Sequence, residues 1–131
     1  MSYRVKIREQ VWKFHGRLGP QDRRAVKRAL LQLAHERGDI RSLRDRLEGY
    51  YRLRVGTYRI VFRYLPARVI ECVYINSRAL VYDVFESELH RIVTENPPDA
   101  DLNELPRNGE KIRANTITRF QLHAKAEAEH Q

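Results

Sequence analysis

Arg52, Arg54, Arg59 and Arg63 fall at alternating positions in the run from Gly49 to Tyr64, and they are the side chains here most able to do chemistry. The run reads as two strands joined by a short Gly56-Thr57 connection, a β-hairpin. A period of two places Tyr51, Leu53 and Val55 on one face of the first strand and Tyr50, Arg52 and Arg54 on the other. The second strand repeats this, with Tyr58, Ile60, Phe62 and Tyr64 on one side and Arg59, Val61 and Arg63 on the other. One face is apolar and its reverse is cationic. Crowding four guanidinium groups costs free energy unless an anion is recruited, and their planar fork matches the paired oxygens of a phosphate. The alternative is a solvated outer face on which arginine serves solubility.

A second cluster, Ile75-Asn76-Ser77-Arg78-Ala79-Leu80-Val81-Tyr82, follows the third long strand. An antiparallel sheet returns Arg78 and Tyr82 beside the hairpin. Together with Arg52, Arg54 and Arg59 they would combine phosphate clamping with an aromatic able to stack on a base or donate a proton. Tyr82 is open to a second reading, as a core tyrosine with a surface-facing hydroxyl. Other chemistries find no support: the chain has no Gly-rich phosphate loop, no Gly-x-Ser-x-Gly elbow and no Cys-x-x-Cys pair. His123, Glu127 and His130 could share one helical face, but near a polar chain end solvent exposure explains them, so neither metal nor cofactor is expected.

The elements that would position these residues are legible in outline. Tyr3 to Ile7 alternates as a first strand, and Glu9 to Leu18 spaces Val11, Trp12, Phe14 and Leu18 as a helix. Gly19-Pro20 breaks that helix and opens a second, which runs to about Arg37 with Ala25, Ala29, Leu30, Leu33 and Ala34 as its apolar stripe and Asp22 near its positive end. Residues 39–48 read as a loop before the hairpin. Val69 to Ile75 is a further strand, a short strand is expected around Leu80 to Val84, and a brief helix over Glu86 to Val93. The predicted class is α+β: a twisted, mainly antiparallel sheet of four to five strands, covered on one face by an amino-terminal helical hairpin, with the arginines on the other.

The sequence has 131 residues, enough for one core without disulfides. Its net charge of +8 lies wholly in the front part: residues 1–94 hold 20 Lys+Arg against 10 Asp+Glu, residues 95–131 only 5 against 7. A front part of this sign favours nucleic acid through counterion release. The expected division is 1–94 as the basic domain and 95–131 as an acidic linker, Asn96 to Asp101, followed by a helix from Ala114 with Ile117, Phe120, Ala124 and Ala128 on one side. The lone Cys72 cannot form an intramolecular disulfide, and no run has the length or apolarity of a signal peptide or membrane span, so the cytoplasm is the expected setting.

Two stretches resemble a known family. The run Leu-Glu-Gly-x-Tyr-Arg-Leu-Arg-Val-Gly-x-Tyr-Arg-Ile-Val-Phe at Leu47 to Phe62, followed by Ile-x-x-Arg-x-x-x-Tyr at Ile75 to Tyr82, is similar to the RelE-like toxins of the RelE/ParE toxin–antitoxin superfamily. The likeness covers roughly residues 3–93. It implies a compact antiparallel sheet with an amino-terminal helical hairpin, and a ribosome-dependent endoribonuclease that cuts messenger RNA without metal. The substrate's own 2′-hydroxyl would attack the adjacent phosphate, giving a 2′,3′-cyclic phosphate and a free 5′-hydroxyl. By position, Arg59 and Arg78 would stabilise charge on the transition state, and Tyr82 would stack on the substrate or assist proton transfer. Arg52, Arg54 and Arg63 complete the phosphate-binding face. Arg52 and Arg54 stand where some relatives have lysine, and arginine is a poor general base; Glu48 is the nearest carboxylate in sequence. The resemblance also implies a cognate antitoxin as partner. Two alternatives accompany it: a ParE-like inhibitor of DNA gyrase, and a non-catalytic RNA- or ribosome-binding member of the superfamily.

Overall fold

The computed structural model describes residues 2–85, 87 and 100–105. The helix expected over Glu86 to Val93, the helix expected from Ala114 and the group His123, Glu127 and His130 fall outside these residues, apart from Ser87. In chain order the elements are β1 (Arg4–Ile7), α1 (Glu9–Arg17), α2 (Pro20–Leu33), β2 (Asp39–Ser42), β3 (Tyr51–Val55), β4 (Tyr58–Leu65), β5 (Val69–Ser77) and β6 (Ala100–Asp101). The strands form one sheet in the order β2-β3-β4-β5-β1-β6. It is antiparallel from β2 through β5, whereas β1 lies parallel to β5 and pairs antiparallel with the short β6. Among the described residues no helix is long and apolar enough to cross a membrane.

The helical hairpin forms where Gly19-Pro20 divides two amphipathic runs, Pro20 occupying the first turn of α2 and Asp22 meeting its positive end. Val26, Leu30 and Leu33, one stripe at helical spacing, are fully buried against the sheet. Ala25, expected on that stripe, is exposed instead. A small rotation of the helix puts the bulkier Val26 inward, and burying more apolar surface is the more favourable choice. The stripe packs on Val5, Ile7, Leu53, Ile60, Phe62, Ile70, Cys72 and Ile75. Gly38, beyond α2, has φ of +129°, and a β-carbon there would lie 2.7 Å from Leu53 Cδ1. Only glycine fits that close approach.

Three segments differ from expectation. Residues 39–42, read as loop, form β2 on the sheet edge, with Ile40 turned to the core and its neighbours exposed or nearly so. The predicted strand around Leu80 to Val84 is a turn followed by helix over 81–85, with the Val84 amide donating to the Leu80 carbonyl at 3.1 Å. Val81 and Phe85, four apart, are both fully buried, which a helix allows and an alternating strand would too, so the apolar pattern alone did not separate them. Ala100–Asp101, read as the end of a linker, pair with β1. The Arg4 guanidinium holds the Asp101 carboxylate by two bonds of 3.0 and 3.2 Å, Lys27 Nζ donates to the Leu105 carbonyl at 3.0 Å, and Leu102 and Leu105 enter the core.

The face away from the helical hairpin is not uniformly cationic. Leu47, Val61, Val73, Tyr74, Val81 and Phe85 make a second apolar cluster there, so the 81–85 helix covers the middle of it. A register irregularity between Val61 and Phe62 lets β5 supply both Val73 and Tyr74 to that cluster while Cys72 stays in the main core. Cys72 is fully buried and burial pushes its thiol well up, so it is inert to oxidants in the folded protein.

Candidate nucleic-acid interface

The sheet register builds the cationic surface directly. Arg54 stands opposite Arg59 across β3 and β4, and Asn76 of β5 stands opposite Arg59 on its other side. Cross-strand partners share a face, so these side chains project together with Arg52, two residues before Arg54. At the far side of the β3–β4 turn the Arg78 amide donates to the Thr57 carbonyl at 2.8 Å, which fixes the start of the 81–85 helix beside the hairpin end. Gly56 takes φ of +57° in that turn.

Arg59 is the centre of the group. Only 8% exposed, it anchors one end of its guanidinium by donating from Nη1 to the carbonyls of Gly56 and Tyr58, both at 2.9 Å. Those two bonds leave Nη2 and Nε for a ligand. Desolvation, followed by the nearby charges of Arg54 and Arg52 and then Arg78, lowers the Arg59 pKa from its ordinary value; Tyr82 acts in the opposite sense. The same influences show that the fold brings Arg52, Arg54, Arg59, Arg78 and Tyr82 within electrostatic reach of one another. Arginine stays protonated even so. The result is a preorganised patch of positive charge, partly dehydrated, that an anion would stabilise.

Each remaining candidate has a definite place. Arg52 is oriented by Asp39, its Nη1 lying 3.2 Å from the carboxylate and 3.1 Å from the Asp39 carbonyl. Arg54 and Arg78 are exposed, and Tyr82 is half-buried against the second apolar cluster. Arg63 is set apart: it lies beyond Val61 on β4, with its Nε 2.9 Å from Glu71, a carboxylate it shares with Arg8, whose Nε is 3.4 Å away. Its guanidinium also lies 6.0 Å from the centre of the Tyr50 ring. Glu48 is exposed and lines an open cleft at the β2–β3 connection with Ser42, Arg44, Asp45 and Tyr50, at the end of β3 away from the Arg54–Arg59 pair. Asp39 and Arg41 were not singled out in the sequence because residues 39–48 carry no strand-like alternation of apolar residues; the register puts both on the cationic face. Among the described residues no cluster of His, Cys, Asp and Glu could hold a metal ion.

A helical hairpin on one face of a twisted sheet and a guanidinium group on the other define a class of small α+β proteins with a cationic sheet surface. Within that class this chain has the RelE fold. It superposes on the toxin–antitoxin complex RelBE2 from Mycobacterium tuberculosis with a TM-score of 0.54 and 24% identity, over 60% of this chain and 100% of that one. A free E. coli RelE toxin in which two arginines are replaced by alanine gives 0.53 and 21%, over 70% and 99%. The RelE–RelB complex from Pyrococcus horikoshii OT3 is 30% identical, with a TM-score of 0.47 over 60% and 97%. No family model and no curated relative matches the sequence.

Proposed function

We propose that this protein is the toxin of a type II toxin–antitoxin system, held by a cognate antitoxin, and that it acts as a metal-independent endoribonuclease on messenger RNA in the ribosomal decoding site. The observation that carries the reading is the buried Arg59 guanidinium, tied back by two carbonyls and ringed by Arg52, Arg54, Arg78 and Tyr82. The fold shared with RelE toxins, one of them in complex with its antitoxin, supports it. In this reading the scissile phosphate sits on Nη2 and Nε of Arg59 and on Arg78. The 2′-oxygen of the preceding ribose attacks phosphorus, the 5′-oxygen of the next nucleotide leaves, and the growing negative charge on the non-bridging oxygens is met by cations already in place. Tyr82 stacks on the adjacent base or hands a proton to the leaving oxygen. No arginine accepts the 2′-hydroxyl proton, so in this reading that proton passes to a base outside the arginine group, either a ribosomal group or another residue of this chain such as Glu48.

Mapping messenger RNA 5′ ends in translating extracts tests the reading. Wild type should create new ends within codons, only when ribosomes are present, and Arg59→Ala should lower their rate about 10²- to 10³-fold, the loss typical of one transition-state donor. A folded Arg59→Ala protein that cuts like wild type overturns it, as does growth arrest with intact messages and inhibited DNA supercoiling.

A further inference from the structure

β2 carries the cationic surface one strand further than the five residues of the cluster. Arg41 stands directly opposite Arg52 in the β2–β3 register, so both project from the same face. Two arginines paired across an antiparallel ladder repel each other, and a sheet edge chosen for stability alone would not place them there. Asp39 does not relieve Arg41: its carboxylate and its carbonyl are both directed to Arg52 Nη1. Among the described residues Arg41 has no carboxylate partner, and it is exposed. The edge strand therefore presents an unneutralised guanidinium at the outer end of a row that runs Arg41, Arg52, Arg54, Arg59 across three strands.

We infer that Arg41 is a subsite for a backbone phosphate of single-stranded RNA flanking the scissile one, with Asp39 the positioning residue that holds Arg52 between the two. The inference rests on the reading of the cluster as an RNA-cleaving site and adds to it the direction in which the strand runs, from Arg59 outward over β3 to the β2 edge. With neighbouring strands about 4.8 Å apart, and two residues of offset along the strand at about 3.3 Å each, Arg41 lies about 12 Å from Arg59 between α-carbons. Two long side chains reaching from such positions meet different phosphates of one extended strand, not the same phosphate twice. The arrangement answers the repulsion between Arg41 and Arg52 as well, since an RNA phosphate between them is the missing counter-charge.

The test uses the full chain and a fluorescent single-stranded RNA decamer methylated at every 2′-oxygen, which cannot be cut. Arg41→Ala should weaken binding about tenfold at low salt. It should lower the slope of log affinity against log salt by about 0.7, one phosphate's share for a single strand. Arg41→Lys should restore most of both. Arg24→Ala, on the solvent side of α2, should change neither. Thermal melting should show Arg41→Ala as stable as wild type or slightly more so, because a repulsion is removed. Equal losses for Arg41→Ala and Arg24→Ala, a melting temperature that falls with the affinity, or no binding of the decamer by wild type would each overturn the subsite. Ribosome-dependent cleavage lost in Arg59→Ala would survive any of those results, so failure of the subsite and failure of the nuclease reading are told apart.

Discussion

Replacing Glu71 by glutamine removes one charge and almost no volume, and it strikes the network that closes the other end of the cationic face. Glu71 is 5% exposed and serves two cations, Arg63 at 2.9 Å and Arg8 at 3.4 Å. At an effective dielectric near 20, each contact is worth roughly 4 kcal/mol before desolvation is counted. In Glu71→Gln both attractions go, and the two guanidinium groups lose the carboxylate they share. Arg63, whose side chain is 27% exposed, recovers part of its hydration by turning outward; Arg8, at 11%, cannot. The net loss is about 3 kcal/mol, the lower end of what breaking a buried pair costs. For a domain of this size that lowers the melting temperature by about 12 to 20 °C. Urea unfolding followed by circular dichroism reads the change as a lower midpoint at unchanged slope. In a double-mutant cycle Arg63→Gln should then relieve part of the loss, because it removes one of the two cations that shared the lost carboxylate. A loss below about 1 kcal/mol, or strictly additive effects, would refute the network as a source of stability.

Three further substitutions probe other levels of the fold. Gly38→Ala combines a positive φ with a β-carbon 2.7 Å from Leu53 Cδ1, so it should cost about 2 to 4 kcal/mol by urea unfolding; a neutral result would mean the turn after α2 relaxes freely. His15 is buried in α1, and burial, followed by the charges of Arg23 and Lys27 and opposed in part by a hydrogen bond to the Arg23 backbone, lowers its pKa from 6.5. Below about pH 6.5 the unfolded chain therefore takes up a proton that the folded one resists. Stability should fall with pH through that range, and His15→Gln should flatten the fall; equal pH slopes would refute the assignment. Leu105→Ala should cost about 2 to 3 kcal/mol if the 100–105 segment belongs to the core as its burial indicates, and an unchanged urea midpoint would show that it does not.

How much of this was legible beforehand depends on the range of the interactions. Alternation within Tyr51 to Tyr64 assigned every face correctly, because the period of a strand is local. The helical hairpin was equally plain from Gly19-Pro20 and its flanking stripes. Asp39-Ile40-Arg41-Ser42 gave no warning of a strand: three of its four residues are exposed or polar, and only hydrogen bonding to β3 makes it one. Arg63 looked equivalent to Arg59 in sequence. What parts them is Glu71 on β5 and the apolar cover of Phe85, both brought in from elsewhere in the chain. Likewise Asp101 and Leu105 carry no local mark of the bonds to Arg4 and Lys27 that place them.

The parallel pairing of β1 with β5 sets the order in which the chain can be assembled during synthesis. β3 and β4 close through a two-residue turn as soon as both have emerged, and β5 follows onto β4. Arg4, by contrast, waits for Val69, and the amino-terminal strand with the helices hung on it has no sheet to complete until then. Because the Arg78 amide is tied to the turn at Thr57 and Tyr82 follows β5, the cationic group comes together only once β5 and the segment after it have been made, although three of its arginines lie on the earlier hairpin.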